Sequence, residues 1–143
     1  MSTKTIILSF IISVIFLLPA YSQQQTLFKG TFVSQTDSVT MTIDLYENNI
    51  TIDGQELLGD VSGYISVDYD FRRWIIVGSQ FKNDNEALLT IVNDYGSEDL
   101  IATFTYEGEG RYRLKQQQGS TIKFGKNKKW IKLPKNLLFE RLE

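Results

Sequence analysis

Short runs of alternating apolar and polar residues, recurring every ten residues or so, do most to limit what this chain can fold into. Val39, Met41, Ile43 and Leu45 alternate with Thr40, Thr42 and Asp44, and Val61, Gly63, Ile65 and Val67 alternate likewise with Ser62, Ser66 and Asp68. A period of two puts one set of side chains on a buried sheet face and the other in water. Between residues 26 and 142 there is almost no helical period, and Gly, Asn and Asp separate the runs. Many short strands at even spacing define an all-β chain, a sandwich or a barrel.

Turn chemistry sharpens this, because loop length fixes register and register must keep the apolar sets on one face. In Glu107-Gly108-Glu109-Gly110-Arg111, a three-residue loop ending in a left-handed Gly110 pairs Glu107 with Arg111. Tyr106 then faces Tyr112 and Phe104 faces Leu114, whereas a two-residue loop would oppose Phe104 to Arg113. Gln117-Gln118-Gly119 reads as a second three-residue loop, pairing Leu114 with Ile122 and Tyr112 with Phe124. Asn48-Asn49 suits a two-residue type I′ turn that pairs Leu45 with Ile52, since asparagine tolerates positive φ. Asn83-Asp84-Asn85 pairs Lys82 with Glu86 outside and Val77 with Ile91 inside. Trp74, Ile76 and Val92 then face outward, either as a partner surface or, as we expect, beneath the segment after Pro134. The Gly125–Lys128 turn admits two registers. Leu137 to Leu142 reads as a closing strand, with a short helix as the alternative. The sum is an antiparallel up-and-down meander of eight to ten strands with no long insertion, a barrel in preference to a β-sandwich.

Residues 1–22 read as a secretory signal peptide. Lys4 precedes an apolar run from Ile6 to Leu18, Pro19 breaks it, and Ala20-Tyr21-Ser22 sets small residues around a cut after Ser22. The run is shorter than the roughly 18–20 apolar residues of a spanning helix, so cleavage is expected rather than a retained anchor. No cysteine follows to carry a lipid. Removal leaves 23–143 as one domain with no membrane span, exported to the periplasm or the outside. The leader, followed by Gln23-Gln24-Gln25, resembles those of small exported proteins of Bacteroidetes-type bacteria.

Length and meander together resemble the lipocalin-like (calycin) barrels. Gly30-Thr31-Phe32 sits where that family carries Gly-x-Trp in its first strand, with Phe in place of the tryptophan, and Leu137-Leu138-Phe139-Glu140-Arg141 resembles its final strand with a terminal arginine. The resemblance implies a cupped barrel with a hydrophobic ligand site inside.

Composition removes several chemistries. With no histidine and no cysteine in 143 residues, a histidine base, a cysteine nucleophile and a Cys/His zinc site are excluded. There is no Gly-x-Ser-x-Gly elbow or phosphate-cradling loop, and the carboxylates show no pattern that singles out a hydrolytic pair. We expect no enzymatic activity and assign no catalytic residue, metal or cofactor. Asp44 and Asp53, opposed across the Asn48-Asn49 hairpin, and Asp68-Tyr69-Asp70 offer oxygen ligands without EF-hand spacing, and Asx residues at tips are read as turn formers.

Charge is divided unevenly. Residues 23–110 hold 4 basic and 15 acidic side chains, whereas residues 111–143 hold 10 basic and 2 acidic. Lys123, Lys126, Lys128, Lys129 and Lys132, with Trp130 among them, form the candidate partner surface, fit for an anionic glycan or protein surface. Nucleic acid, which would leave the same footprint, is not expected of an exported chain. The alternative is internal: in a closed barrel the basic last strands lie beside the acidic first ones. The leading functional expectation is a binding module for a small apolar or amphipathic ligand, its pocket lined by Phe32, Ile43, Ile65, Phe104, Tyr112 and Phe124. The second is an interaction or structural protein with a filled barrel that works through its basic surface, and cavity volume separates the two.

Overall fold

The computed structural model describes residues 26–142, so the expected signal peptide lies outside the described residues. Ten strands form: β1 Lys29–Ser34, β2 Val39–Asp44, β3 Gly63–Val67, β4 Trp74–Asn83, β5 Glu86–Asn93, β6 Asp99–Gly108, β7 Arg111–Gly119, β8 Lys123–Lys126, β9 Lys129–Lys132 and β10 Asn136–Arg141. Eight of them close an antiparallel barrel in the order β1-β10-β7-β6-β5-β4-β3-β2. This is the up-and-down meander that the alternation implies, and closure excludes the sandwich. β8 and β9 stand apart as a two-stranded ribbon inserted between β7 and β10.

Alternation carries directly into the core. Val39, Met41 and Ile43 of β2, Ile65 and Val67 of β3, and Ala87, Leu89 and Ile91 of β5 all bury their side chains in one cluster inside the barrel. The β6–β7 hairpin sets Tyr106 opposite Tyr112 and Phe104 opposite Leu114, as turn chemistry requires. It reaches that register differently, with a two-residue turn at Glu109-Gly110, both at positive φ, and a bulge between Tyr106 and Gly108 that absorbs the extra residue.

Three other expected registers are overturned. β7 runs on to Gly119 instead of turning at Gln117, so Leu114 lies between Phe104 and Leu137, and Tyr112 between Tyr106 and Phe139. Glutamines carry no turn chemistry, and Gln116 folds its side chain inward, donating to the Pro134 carbonyl and accepting from the Ile122 N–H. At Asn48-Asn49 no hairpin forms. The Asp44 carboxylate accepts the backbone N–H groups of Tyr46 and Glu47, which turns the chain and ends β2 before the asparagines. Asp44 is buried, ion-paired with Lys29 at 3.4 Å, while Asp53 lies exposed in the connection beyond, so the opposed aspartate pair does not exist. In the β4–β5 hairpin Asn83 pairs with Glu86, and a bulge between Ile76 and Gly78 turns Val77 outward, leaving it 48% exposed. Trp74 and Ile76 point inward in its place.

The absence of long insertions also fails. Residues 45–62 form an extended connection with a short 3₁₀ turn at Glu56–Leu58, tied down by the Ile50–Val61 bridge. Ile52 and Val61 from this connection pack on Ile75 of β4, with Ile50, Tyr64 and Val92 at the margin. The second apolar face of β4 is therefore covered by the β2–β3 connection, and not by the segment after Pro134. That segment instead forms β10, which closes the barrel between β1 and β7.

Candidate functional site

The six interior candidates prove to be core. Phe32, Ile43, Ile65, Phe104, Tyr112 and Phe124 are all buried and belong to one cluster. Phe32 meets Tyr112 at a ring separation of 4.7 Å and Phe104 at 5.3 Å, while Phe104 stacks on Tyr112 at 5.1 Å. Aromatic rings at these spacings occupy the barrel axis with one another. Ile122, Phe124 and Leu133, at the base of the ribbon, join the cluster from one end, and Phe28 joins it from the other. Four surface clefts are prominent, and none is lined by any of the six.

At the Phe28 end, residues 26–28 are strapped across the barrel mouth. Arg141 donates to the Thr26 and Leu27 carbonyls, Tyr112 donates its hydroxyl proton to Leu27 at 2.9 Å, and the Phe28 N–H donates to the Tyr46 hydroxyl. The Arg141 guanidinium lies 5.4 Å from the centre of the Phe32 ring. Beside this strap opens a cleft of about 790 Å³ lined by Phe28, Tyr46, Phe81 and the Lys82–Asn85 turn, with Tyr46 stacked on Phe81 at 5.5 Å.

The opposite end carries the partner-surface candidates. The ribbon pairs Lys123 with Lys132, Phe124 with Ile131, Gly125 with Trp130, and Lys126 with Lys129. Asn127-Lys128 makes the turn, both residues at positive φ, which settles the register that the sequence left open. Opposed residues share a face of the ribbon. One face therefore carries Phe124, whose ring is buried over the barrel, with Ile131, Lys126 and Lys129, and the other carries Trp130 with Lys123 and Lys132. Two like-charge pairs stand directly across from each other; Glu98 offsets the charge of Lys123 in one, and the other, Lys126 with Lys129, costs about 0.2–1 kcal/mol.

The loop between β3 and β4 completes this end. Asp70, with its side chain 4% exposed, accepts the N–H groups of Arg72 and Gly125 and the Arg72 Nη1 at 3.1 Å. Burial works to raise the Asp70 pKa, but these hydrogen bonds and the guanidinium hold it below the ordinary aspartate value. A glycine at position 125 lets this approach be close: a Cβ there would lie 2.9 Å from Arg72 Nη1 and 3.2 Å from Asp70 Oδ2, so the ends of these side chains would have to shift. The Arg72 guanidinium sits 4.8 Å over the Trp130 ring and 5.4 Å over Phe71, while Lys126 lies over Tyr69. Trp74 donates its indole N–H to the Lys123 carbonyl at 3.0 Å and so locks the ribbon to β4.

Lys123 alone of the basic cluster finds an acid among the described residues, Glu98 at 3.1 Å. Neutralisation of the acidic part of the chain by the basic last third is partial: Arg111, Arg113 and Lys123 pair with Glu109, Glu107 and Glu98, whereas Lys126, Lys128, Lys129 and Lys132 make no ion pair among the described residues. Between the β3–β4 loop and the ribbon lies a cleft of about 530 Å³ lined by Tyr69–Arg72 and Gly125–Trp130. Asp37 and Asp68 line the adjoining cleft with Lys126 and Ile131. Sequence reasoning found the lysines and Trp130 and named Asp70 only as an oxygen ligand or turn former, and it missed Phe71 and Arg72; all three are more than fifty residues from the ribbon in the chain. The only local signal was a glycine in a lysine-rich strand. No family model, curated protein or solved structure matches this chain.

Proposed function

We propose that this protein is an exported, non-enzymatic binding module built on a lipocalin-like barrel, and that it captures an anionic glycan or protein surface with its β8–β9 ribbon. The observation that carries this reading is the opposed pair Lys126 and Lys129, which meets no acid among the described residues and is kept at a cost to local stability. Lysines on an open edge strand also deter aggregation, which accounts for those on β9. It does not account for Lys126, because the outer edge of β8 is already capped by Asp70 and the Trp74 indole, and Lys123 is held by Glu98. A core packed through both ends supports a surface role over an interior one. The barrel type is supported by Phe32 of the Gly30-Thr31-Phe32 strand lying against Arg141 of the last strand. The test is retention of residues 23–143 on heparin, polygalacturonate and polyglutamate matrices in a salt gradient, beside a variant carrying Lys126→Glu, Lys128→Glu and Lys129→Glu. Retention on at least one matrix, lost in the variant, is expected. No retention, or retention that survives charge reversal, refutes the reading.

A second reading is favoured by the cleft at the strapped end. Its volume falls in the range of small-molecule sites, and Phe28, Tyr46 and Phe81 give it an apolar wall beside the polar Lys82–Asn85 turn. An amphipathic ligand there would appear as a stoichiometric adduct in native mass spectra of the purified chain and be lost after Phe81→Ala.

A further inference from the structure

We infer that the cleft between the β3–β4 loop and the ribbon is a subsite for an acidic carbohydrate, a sugar ring bearing a carboxylate or a sulfate. The inference rests on the anionic-partner reading and narrows it to one chemical class.

The cleft combines cations with exposed aromatic surface, chiefly that of Phe71, since Arg72 and Lys123 already lie over the Trp130 ring. Arg72, Lys126, Lys128 and Lys129 line it, and its one carboxylate, Asp70, is buried and fully engaged with Gly125 and Arg72. An anion entering the cleft therefore meets no competing free carboxylate within it. Arg72 is held in place by Asp70 through Nη1 and by the flanking rings, so its orientation is set before a ligand arrives. Its Nε is buried and makes no hydrogen bond of good geometry among the described residues, while the Tyr95 side chain also interacts with the guanidinium. Phe71 is 81% exposed and Trp130 56%, an unusual outlay of aromatic surface beside lysines.

Each rival occupant uses only part of this arrangement. An acidic peptide satisfies the lysines with carboxylates on flexible stems but offers no ring to cover Phe71. A bilayer meets protruding groups, whereas the guanidinium here lies between a loop and a hairpin. A pyranose ring has an apolar C–H face for the aromatic walls and carries its acid group rigidly on the same ring. A neutral sugar would fill the same space and leave the three lysines unanswered.

The experiment is calorimetric titration of residues 23–143 with four probes: trigalacturonate, a heparin-derived tetrasaccharide, polyglutamate, and phosphatidylglycerol vesicles. The methyl ester of trigalacturonate serves as the uncharged control. Phe71→Ala is the principal variant, since an exposed ring can be removed without touching the core, and a thermal melt checks its fold. Arg72→Lys keeps the charge and removes the planar fork. Binding of either oligosaccharide, weakened about tenfold by Phe71→Ala and further by Arg72→Lys, is the expected result; for trigalacturonate, esterification must abolish it. Binding of polyglutamate or vesicles as tight as that of both sugars, or indifference to Phe71→Ala, overturns the sugar assignment and leaves the anionic-surface reading standing. Failure of all four probes overturns both.

Discussion

Replacing Arg141 by alanine tests how the barrel is held shut. The β1–β10 seam has two paired positions, Phe32 with Arg141 and Val33 with Glu140, extended by the Leu142 N–H donating to the Thr31 carbonyl, so side chains must do much of the closing. Arg141 Nη2 approaches three acceptors, the carbonyls of Thr26 and Leu27 and the Tyr112 hydroxyl. A guanidinium nitrogen has two hydrogens, so two of these bonds are made at once. Bonds from a charged donor contribute about 1.5–3 kcal/mol each. Two features reduce that here: Arg141 is exposed, and Leu27 keeps the Tyr112 hydroxyl when the arginine is gone. Loss of the contact with the Phe32 ring adds about 0.5 kcal/mol. The sum is a destabilisation of about 2 kcal/mol. For a urea slope near 1.5 kcal/mol per molar, the unfolding midpoint falls by a little over 1 M. Arg141→Lys, which keeps the charge but reaches a single carbonyl, is expected to lose about half as much. Equilibrium urea denaturation followed by tryptophan fluorescence measures both. A shift below about 0.3 M for the alanine variant would show that the backbone pairing alone closes the seam.

Other perturbations have equally definite outcomes. Gly63→Ala places a Cβ 2.2 Å from the Thr42 carbonyl oxygen and 2.9 Å from the Ile43 Cα, both on the neighbouring strand, so β2 and β3 cannot keep their register; loss of soluble, cooperatively melting protein is expected, and a wild-type melt would contradict it. Lys129→Glu turns one like-charge pair into an opposite-charge pair, and is expected to raise stability by about 0.5–1 kcal/mol while weakening retention on anionic matrices. Burial raises the pKa of Asp44, but the Glu47 and Tyr46 N–H groups and Lys29 outweigh it, and Asp70 is lowered by its own partners in the same way. Both carboxylates therefore keep their charge in the folded chain at pH values where the unfolded chain takes up protons. Their stabilisation is complete well above the ordinary aspartate value of 3.8 and is lost as pH falls through the lower folded values. Urea midpoints should be level from pH 7 to about 5 and drop below about 4. Asp70→Asn should shrink that drop, and an acid limb identical in the variant would remove Asp70 from the account. Ile52→Ala should release the 45–62 connection without opening the barrel, read as faster amide exchange at Ile50 and Val61 with β6 and β7 unchanged.

What could be read from the chain was whatever depended on alternation alone. The inward set of β2, the facing aromatics of β6 and β7 and the closing strand after Pro134 each follow from a period of two that persists on both sides of a turn. The Asn48-Asn49 hairpin was misread because the decisive turn former is Asp44, whose side chain captures two backbone N–H groups in a position the alternation marks as a strand. The Gln117–Gly119 hairpin was misread because Ile122 and Phe124 are apolar with the right spacing to extend β7's face, yet they enter the same core from the end of the barrel rather than from its wall. Val77 and Ile76 changed places through a one-residue bulge beside Gly78, and a bulge inverts every expectation along a strand. At the candidate site the lysines and Trp130 are local and legible. Asp70, Phe71 and Arg72 join them only through the closure of the barrel, which no window on the sequence contains.

The position of β10 sets a timetable. Because β10 lies between β1 and β7, the first strand has no second neighbour until residues 136–141 exist. A nascent chain can form the β2-to-β7 hairpins one by one, but the ring stays open and its aromatic axis wet until the final strand leaves the ribosome. Any early termination before residue 136 would strand an open, adhesive sheet in place of a barrel.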